Sequence, residues 1–500
     1  PTVVVGAFPV GKVERVLRGQ NGGTGGAGPA GSFDHEVCVI GAGAAGLAAG
    51  RAMAVRGIDF VWFERGSMVG GLWRIDNDNG GTPAYRTLHL NSSRPATQYP
   101  SFPMPADWPD YPSHELIAEY LQAYAERNGL MERITFHTEV EAVVPLAGDG
   151  GVMTGPFADS PDSALPGSYG WRVTVRDLRS GTQRYLTCRD VVVANGHHAT
   201  PSMPTFPGEF TGESFHSKDY LEPSVFAGKD VVVVGVGNSG MDIACDAAKV
   251  ANRVLLVTRH GVHVIPKYAF GRPADQLNNK FIAYVPFEVE RGLYEAILRV
   301  STGRPQDRGL PKPDHRLLSA HPTVSAELYD RVGHGDIEMK PGIVELEGES
   351  IRFADGSSEH ADVLVYATGY RVTLPFFEPD VMDPAGNNMP LYLRVVSPER
   401  PGLFFIGFIQ TIGANIPLYE YQAEWVGDLI TGECALPTPA AMRRWIARDA
   451  EQMSRRYVRS ARHTMQVDYW RYIRAMKEAR AAKREPGLLD RLTRPLAGLR

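Results

Sequence analysis

One unit, met twice, restricts this chain more than any other feature. A β-branched run at 33–40 stops at Gly41-Ala42-Gly43-Ala44-Ala45-Gly46, and a small-residue helix at 44–56 and a strand at 59–64 follow. A helix is expected at 114–128, then a hairpin with strands at 171–175 and 185–188 around Ser180-Gly181. A buried strand at 190–194 ends at Asn195-Gly196. The second unit has a strand at 230–234, the turn Gly235-Val236-Gly237-Asn238-Ser239-Gly240, a helix at 241–248 and a strand at 253–257. A hairpin strand at 351–353, turning at Asp355-Gly356, precedes a return strand at 362–366 that ends at Ala367-Thr368-Gly369. Strand, glycine turn, helix, strand, meander and return strand, repeated in that order, predict two dinucleotide-binding folds in one α/β chain.

The glycines have separable jobs. Gly41 and Gly235 permit the tight turn, and Gly43 and Gly237 let a pyrophosphate reach the N–H groups at a helix N-terminus. Gly46 and Gly240 let each helix pack closely on its sheet. The second strand of the first unit ends in Glu64, near the roughly 20-residue offset at which an acid meets ribose hydroxyls and repels a 2′-phosphate. That predicts FAD or NAD at the first turn; the competing reading makes Glu64 a loop cap. The same offset in the second unit falls on Thr258, followed by Arg259 and His260. With no carboxylate there and a guanidinium able to pair with a 2′-phosphate, the second turn predicts NADPH, Asn238 and Ser239 lying on its loop. The alternative for Arg259 is a solvated surface side chain.

Composition narrows the partners. Lys+Arg 52 against Asp+Glu 57 leaves a formal charge of −5, so a nucleic-acid partner is not expected. No apolar run approaches the ~18 residues of a membrane span, and no membrane association is expected. Cys38, Cys188, Cys245 and Cys434 lie far apart without a C-x-x-C, which argues against disulfides, a zinc site or a dithiol centre and suits a cytoplasmic setting. The apolar segment 1–10 lacks the basic start of a signal peptide, the glycine-rich 19–32 reads as a flexible lead-in, and 484–500 could form a short surface helix.

Between the two turns, residues 210–220 read F-x-G-x-x-x-H-x-x-x-Y, with Phe210, Gly212, His216 and Tyr220 at the named positions. This resembles the fingerprint of the flavin-containing monooxygenases. The likeness spans roughly 34–476 and includes Gly70-Gly71-Leu72-Trp73, the stretch 88–93, the second turn as G-x-G-N-S-G-M-D, Ala367-Thr368-Gly369-Tyr370, and P-x-x-E-x-Q-A at 417–423. The resemblance implies two Rossmann-like domains, the smaller NADP domain inserted into the FAD domain, with β-meanders and a helical insertion. The layout it suggests is an extension at 1–32, FAD domain at 33–205, NADP domain with its insertion at 206–335, and the rest of the FAD domain with C-terminal helices at 336–500.

The resemblance also implies an activity. NADPH reduces FAD, molecular oxygen forms a C4a-hydroperoxyflavin, and one oxygen atom passes to the nitrogen of an amine or the sulfur of a sulfide. Baeyer–Villiger attack on a ketone by the same intermediate, and an NADPH oxidase or dehydrogenase without oxygen insertion, stay open. Tyr220, where Baeyer–Villiger enzymes usually carry tryptophan, favours nitrogen or sulfur. Asn91 matches the asparagine beside the flavin and is the catalytic candidate, against a bland role as a turn former. Gly71, Leu72 and Trp73 would pack at FAD, and Gln410, past a strand at 403–408, would reach the pyrimidine edge. A helix starting near Leu418 would aim its positive end there. His216 and Tyr220 are expected to order the linker and NADP rather than to exchange protons. Helices at 276–284, 293–300 and 324–332 would cover the cleft. The oligomeric state stays open, with a homodimer among the options.

Overall fold

The computed structural model describes residues 33–147, 168–278, 280–457 and 464–482. The lead-in at 1–32 and the helix expected at 484–500 lie outside the described residues.

The first sheet runs Phe60–Phe63, His35–Ile40, Gln183–Val193, Ser168–Asp177, Thr138–Ala147, with Leu403–Phe405 also paired to Gln183–Val193. The hairpin strand and the buried strand expected at 185–188 and 190–194 are one continuous strand. Its first half is antiparallel to Ser168–Asp177, and its second half is parallel to His35–Ile40 and Leu403–Phe405. An antiparallel ribbon can wet one face while a parallel sheet is covered on both. The strand therefore alternates first and is fully buried later, and in sequence it reads as two elements.

The second sheet is parallel throughout, ordered Glu338–Lys340, Arg253–Val257, Asp230–Val234, Val363–Tyr366, Glu213–His216. Asp230–Val234 and Arg253–Val257 match expectation. The boundary expected at 335 does not hold for this sheet, because it draws two strands from beyond that point. The chain leaves Arg253–Val257, makes the insertion, and returns at Glu338–Lys340 to complete the same sheet.

The insertion departs most from expectation. Residues 276–284 are not one helix but two 3-10 turns, Ala274–Leu277 and Lys280–Tyr284, separated by extended backbone at Asn278. The helix expected at 293–300 lies inside a longer one, Phe287–Thr302. Residues 324–332 hold the end of the short strand Thr323–Val324, which pairs with Val264–Ile265, and then most of the helix Leu328–His334, whose Leu328 N–H bonds the Ser325 hydroxyl at 3.1 Å.

Behind the first sheet, the helix Ala44–Val55 buries alanines and glycines so that Trp62 can lie against it. A Cβ on Gly50 would stand 2.2 Å from that ring. The late helix Ile416–Thr431 packs on the same helix and is pinned by Arg51–Glu424 at 2.8 Å and Arg56–Glu424 at 2.7 Å. These pairs are partly buried. The four cysteines are buried and free.

Candidate active site

The two glycine turns have nearly the same geometry. Gly41 and Gly235 take φ of +96° and +110°, which a side chain would strain. A Cβ on Gly41 would meet the Ala194 carbonyl oxygen at 2.7 Å, and one on Gly235 the Ala367 oxygen at 2.5 Å. A Cβ on Gly46 or Gly240 would stand 1.9 Å from the oxygen of Gly41 or Gly235 respectively. Each return strand thus ends against its own turn, and each helix is pressed onto it. The helices Ala44–Val55 and Asn238–Ala247 open at Gly43 and Gly237, with no side-chain cap on either. Their first N–H groups stay available to an anion.

What stands beside each turn differs. Glu64 is buried and accepts the N–H of Ala42 at 2.6 Å and of Gly66 at 2.8 Å. Burial lifts its carboxyl above the ordinary value, and the two backbone N–H groups pull the other way. Glu64 thus holds both the first turn, through Ala42, and its own loop, through Gly66. At the second turn Thr258 bonds the His260 carbonyl at 2.5 Å, and His260 pairs with Asp314 at 2.8 Å. Arg259 is exposed, with no carboxylate in ion-pair range among the described residues. Asn238 has a structural bond: its Oδ1 accepts the Val324 N–H at 2.9 Å, fixing the insertion to the start of the second helix. Ser239 follows it on the same helix.

Two segments lie against the first turn and the start of its helix. Gly70 donates its N–H to the Ala42 oxygen at 3.1 Å, and a Cβ on Gly71 would stand 3.0 Å from Gly43 Cα. Gly71, Leu72 and Trp73 form a 3-10 turn laid on the glycine loop, with Trp73 packed on the first core. A Cβ on Gly407 would meet that of Ala45 at 2.8 Å, so the segment leading to Gln410 packs against the first helix. The strand expected at 403–408 closes at Phe405, and Gly407 turns with φ +92°. Gln410–Thr411 pairs with Gln466–Val467, and the Thr411 N–H bonds Asn415, the residue before the late helix, at 3.1 Å. That helix starts at Ile416, slightly ahead of expectation. Asn91 is half-buried between anchored neighbours: Leu90 N–H to the Pro112 oxygen at 2.9 Å and Ser93 N–H to Asp275 at 2.6 Å. Neither Asn91 nor Gln410 has a side-chain hydrogen bond within the described residues, which leaves both amides free for a ligand.

The fingerprint residues are committed elsewhere. His216 accepts the Lys218 N–H on Nδ1 at 3.1 Å, so the proton sits on Nε2, which faces the Gly369 oxygen at 3.1 Å. Burial lowers its pKa, and both nitrogens are occupied. It fastens the Ala367-Thr368-Gly369 turn. Tyr220 is buried with its hydroxyl on Asp246 at 2.9 Å. Sequence reasoning missed Gln422, which joins the Gly407 N–H at 2.9 Å to the Tyr472 hydroxyl at 2.7 Å. It also missed Glu420, which accepts the Ser101 N–H at 2.9 Å. The late motif contained both, but their partners lie too far off in the chain to be read.

A family model described as flavin-binding monooxygenase-like matches residues 34–493. The chain belongs to this family. Flavin-containing monooxygenase 5 of Oryctolagus cuniculus is 34% identical over 446 residues, covering 87% of this chain and 80% of the relative. Among solved structures, S-allyl-L-cysteine S-oxygenase from Allium sativum superposes with a TM-score of 0.64 at 22% identity, covering 92% of this chain and 91% of that one. Cyclohexanone monooxygenase bound to ε-caprolactone gives a TM-score of 0.64 at 20% identity, covering 89% and 97%. These likenesses establish the class B monooxygenase fold with its two Rossmann-type domains. A flavin fits the first turn of this family member: in front of Gly43 an added Cβ meets only Gly71 Cα, at 3.7 Å, so a phosphate can reach the backbone there. No helix among the described residues is long and apolar enough to cross a membrane.

Proposed function

We propose that this chain is an NADPH-dependent FAD monooxygenase that passes one atom of dioxygen, by way of a C4a-hydroperoxyflavin, to a nucleophilic nitrogen or sulfur of a small organic molecule. One observation carries the reading: two matching glycine turns, one bonded to a buried acid and the other beside an unpaired arginine. FAD belongs to the turn with Glu64, whose carboxylate suits ribose hydroxyls and excludes a 2′-phosphate. NADPH belongs to the turn with Arg259, whose guanidinium suits that phosphate.

The flavin, when bound, supplies the redox and oxygen chemistry, and the chain's residues supply placement. Asn91 offers a free amide, the group able to hold an oxygen atom or the retained nicotinamide ribose in place. Gln410 offers another toward the pyrimidine edge. The late helix aims its positive end at the loop carrying Gln410, which favours negative charge on a nearby reduced ring. Nitrogen or sulfur is preferred over ketone carbon because the fingerprint closes in Tyr220.

The test is product analysis under turnover. FAD-loaded protein given NADPH, oxygen and an aryl sulfide is expected to yield sulfoxide in proportion to NADPH consumed. Hydrogen peroxide alone would reduce the reading to an oxidase, and a lactone from a cyclic ketone, with no sulfoxide, would move it to Baeyer–Villiger chemistry.

A further inference from the structure

Tyr85 belongs by chain order to the first fold, yet its ring lies in the core of the second, among Tyr220, Phe226 and Met241. Tyr85 and Tyr220 have ring centroids 5.4 Å apart. The Tyr85 hydroxyl donates to Asp242 at 2.7 Å, and the Thr87 hydroxyl to Asp246 at 2.5 Å. Between them Arg86 donates its N–H to the Leu221 oxygen at 2.9 Å and pairs with Glu222 at 2.9 Å. Three consecutive residues are thus tied to the second fold and its linker. The next residue is shared, because the Leu88 side chain still packs on the second core while its backbone turns to the first fold. The Leu88 oxygen accepts the His114 N–H at 2.9 Å, and Leu90 is buried in the first fold's core, one residue before Asn91.

Asp242 and Asp246 lie four residues apart on the helix Asn238–Ala247, one above the other on a single face. That helix opens at the second glycine turn, so a rigid rod joins the nucleotide end to the points where Tyr85 and Thr87 attach. Asp246 also accepts the Tyr220 hydroxyl at 2.9 Å and Lys249 at 3.0 Å. Burial pushes the Asp242 carboxyl up to about 6, and Tyr85 is its hydrogen-bond donor. Neither carboxylate faces the turn itself. Their side-chain partners are the segment that leads to Asn91, the fingerprint tyrosine and Lys249.

We infer that Asp242 and Asp246 are positioning residues for oxygen transfer: through Tyr85 and Thr87 they make the segment carrying Asn91 follow the second-turn helix, so that nucleotide bound at that turn orders Asn91. The inference rests on the functional reading above and goes beyond it, giving the fingerprint tyrosine a mechanical role. The coupling is reciprocal, as any linkage between two sites must be.

The test uses the FAD-loaded protein and amide exchange in the peptide covering 86–93, with and without NADP+. In the parent, NADP+ is expected to slow exchange there by about tenfold, the effect of a hydrogen bond or two. The double variant Y85F/T87V keeps both side-chain shapes and removes only the hydroxyls that reach the carboxylates. It is expected to bind NADP+ and to be reduced by NADPH as the parent is, yet to show less than about a twofold change in that peptide. Its oxygenated flavin should also decay about tenfold faster. D242N, which still offers Tyr85 an acceptor, should keep the protection. If the double variant unfolds, T87V alone is read the same way, with a smaller loss expected. Parental protection in Y85F/T87V, or in T87V where that is the variant read, or no NADP+ effect in the parent, overturns the inference. A parent that shows NADP+-linked protection lost in Y85F/T87V, but never oxygenates its flavin, overturns the function and leaves the coupling standing.

Discussion

The two glycine turns are almost the same object in backbone terms and different objects in charge. In each, a Cβ added to the last glycine would stand 1.9 Å from the oxygen of the first, and each backs onto the residue that follows a return strand, Ala194 or Ala367. The comparison teaches that glycine geometry builds a place for a pyrophosphate, whereas the end of the neighbouring strand selects the nucleotide. At the first turn that end is Glu64, buried and held by two N–H groups; at the second it is Thr258 with Arg259 left in solvent. An acid taken out of water must be bonded to be tolerated. An arginine that awaits a phosphate can stay wet.

The strongest way to break the comparison is to fill one turn at a time. Gly46→Ala should cost roughly 3 kcal/mol or more, because backbone oxygen blocks the new methyl. Gly240→Ala should cost a similar amount, but only in the second fold. Thermal unfolding and released flavin would be measured together. FAD should be lost in the first variant and retained in the second, and loss of FAD from both would mean that the turns are not independent. Next comes Glu64→Gln, whose single oxygen can accept only one of the two N–H groups while its NH2 faces the other, and which should weaken FAD binding by roughly 10- to 100-fold; flavin retained per protein after gel filtration reads this.

Arg259→Ala should then raise KM for NADPH by about tenfold or more while leaving that for NADH nearly unchanged. Equal effects on both would show that the guanidinium does not read the phosphate. The smallest effect on binding is expected for Asn91→Ala. Reduction by NADPH should proceed at the parental rate, while the oxygenated flavin decays several-fold faster, by about the worth of one hydrogen bond. Parental lifetime in this variant would remove Asn91 from its assigned role.

The two regions were not equally legible in the sequence. Both turns and their flanking strands could be read because β-branched runs stop at glycine, a local signal. The strand Gln183–Val193 read as two because, within one sheet, its first half has an antiparallel neighbour and its second half parallel ones. The insertion was misread where one polar neighbour decides the outcome: Asn238 holds Val324 extended, and Ser325 delays the helix to Leu328. Glu64 lies against the first turn through its bond to Ala42, whereas Asn91 and Gln410 keep the roles proposed above. The partners of Tyr220 were invisible, since Tyr85 and Asp246 come from distant segments and only folding brings them together.

The central claim is that two dinucleotides of opposite phosphate preference serve one oxygen-transfer site. The most direct measurement is a rapid-mixing absorbance record of the reduced, FAD-loaded protein meeting oxygen, with and without NADP+. The account predicts a transient oxygenated-flavin spectrum that persists only when NADP+ is present. Immediate return to oxidised flavin with release of hydrogen peroxide, the same in both conditions, would contradict it.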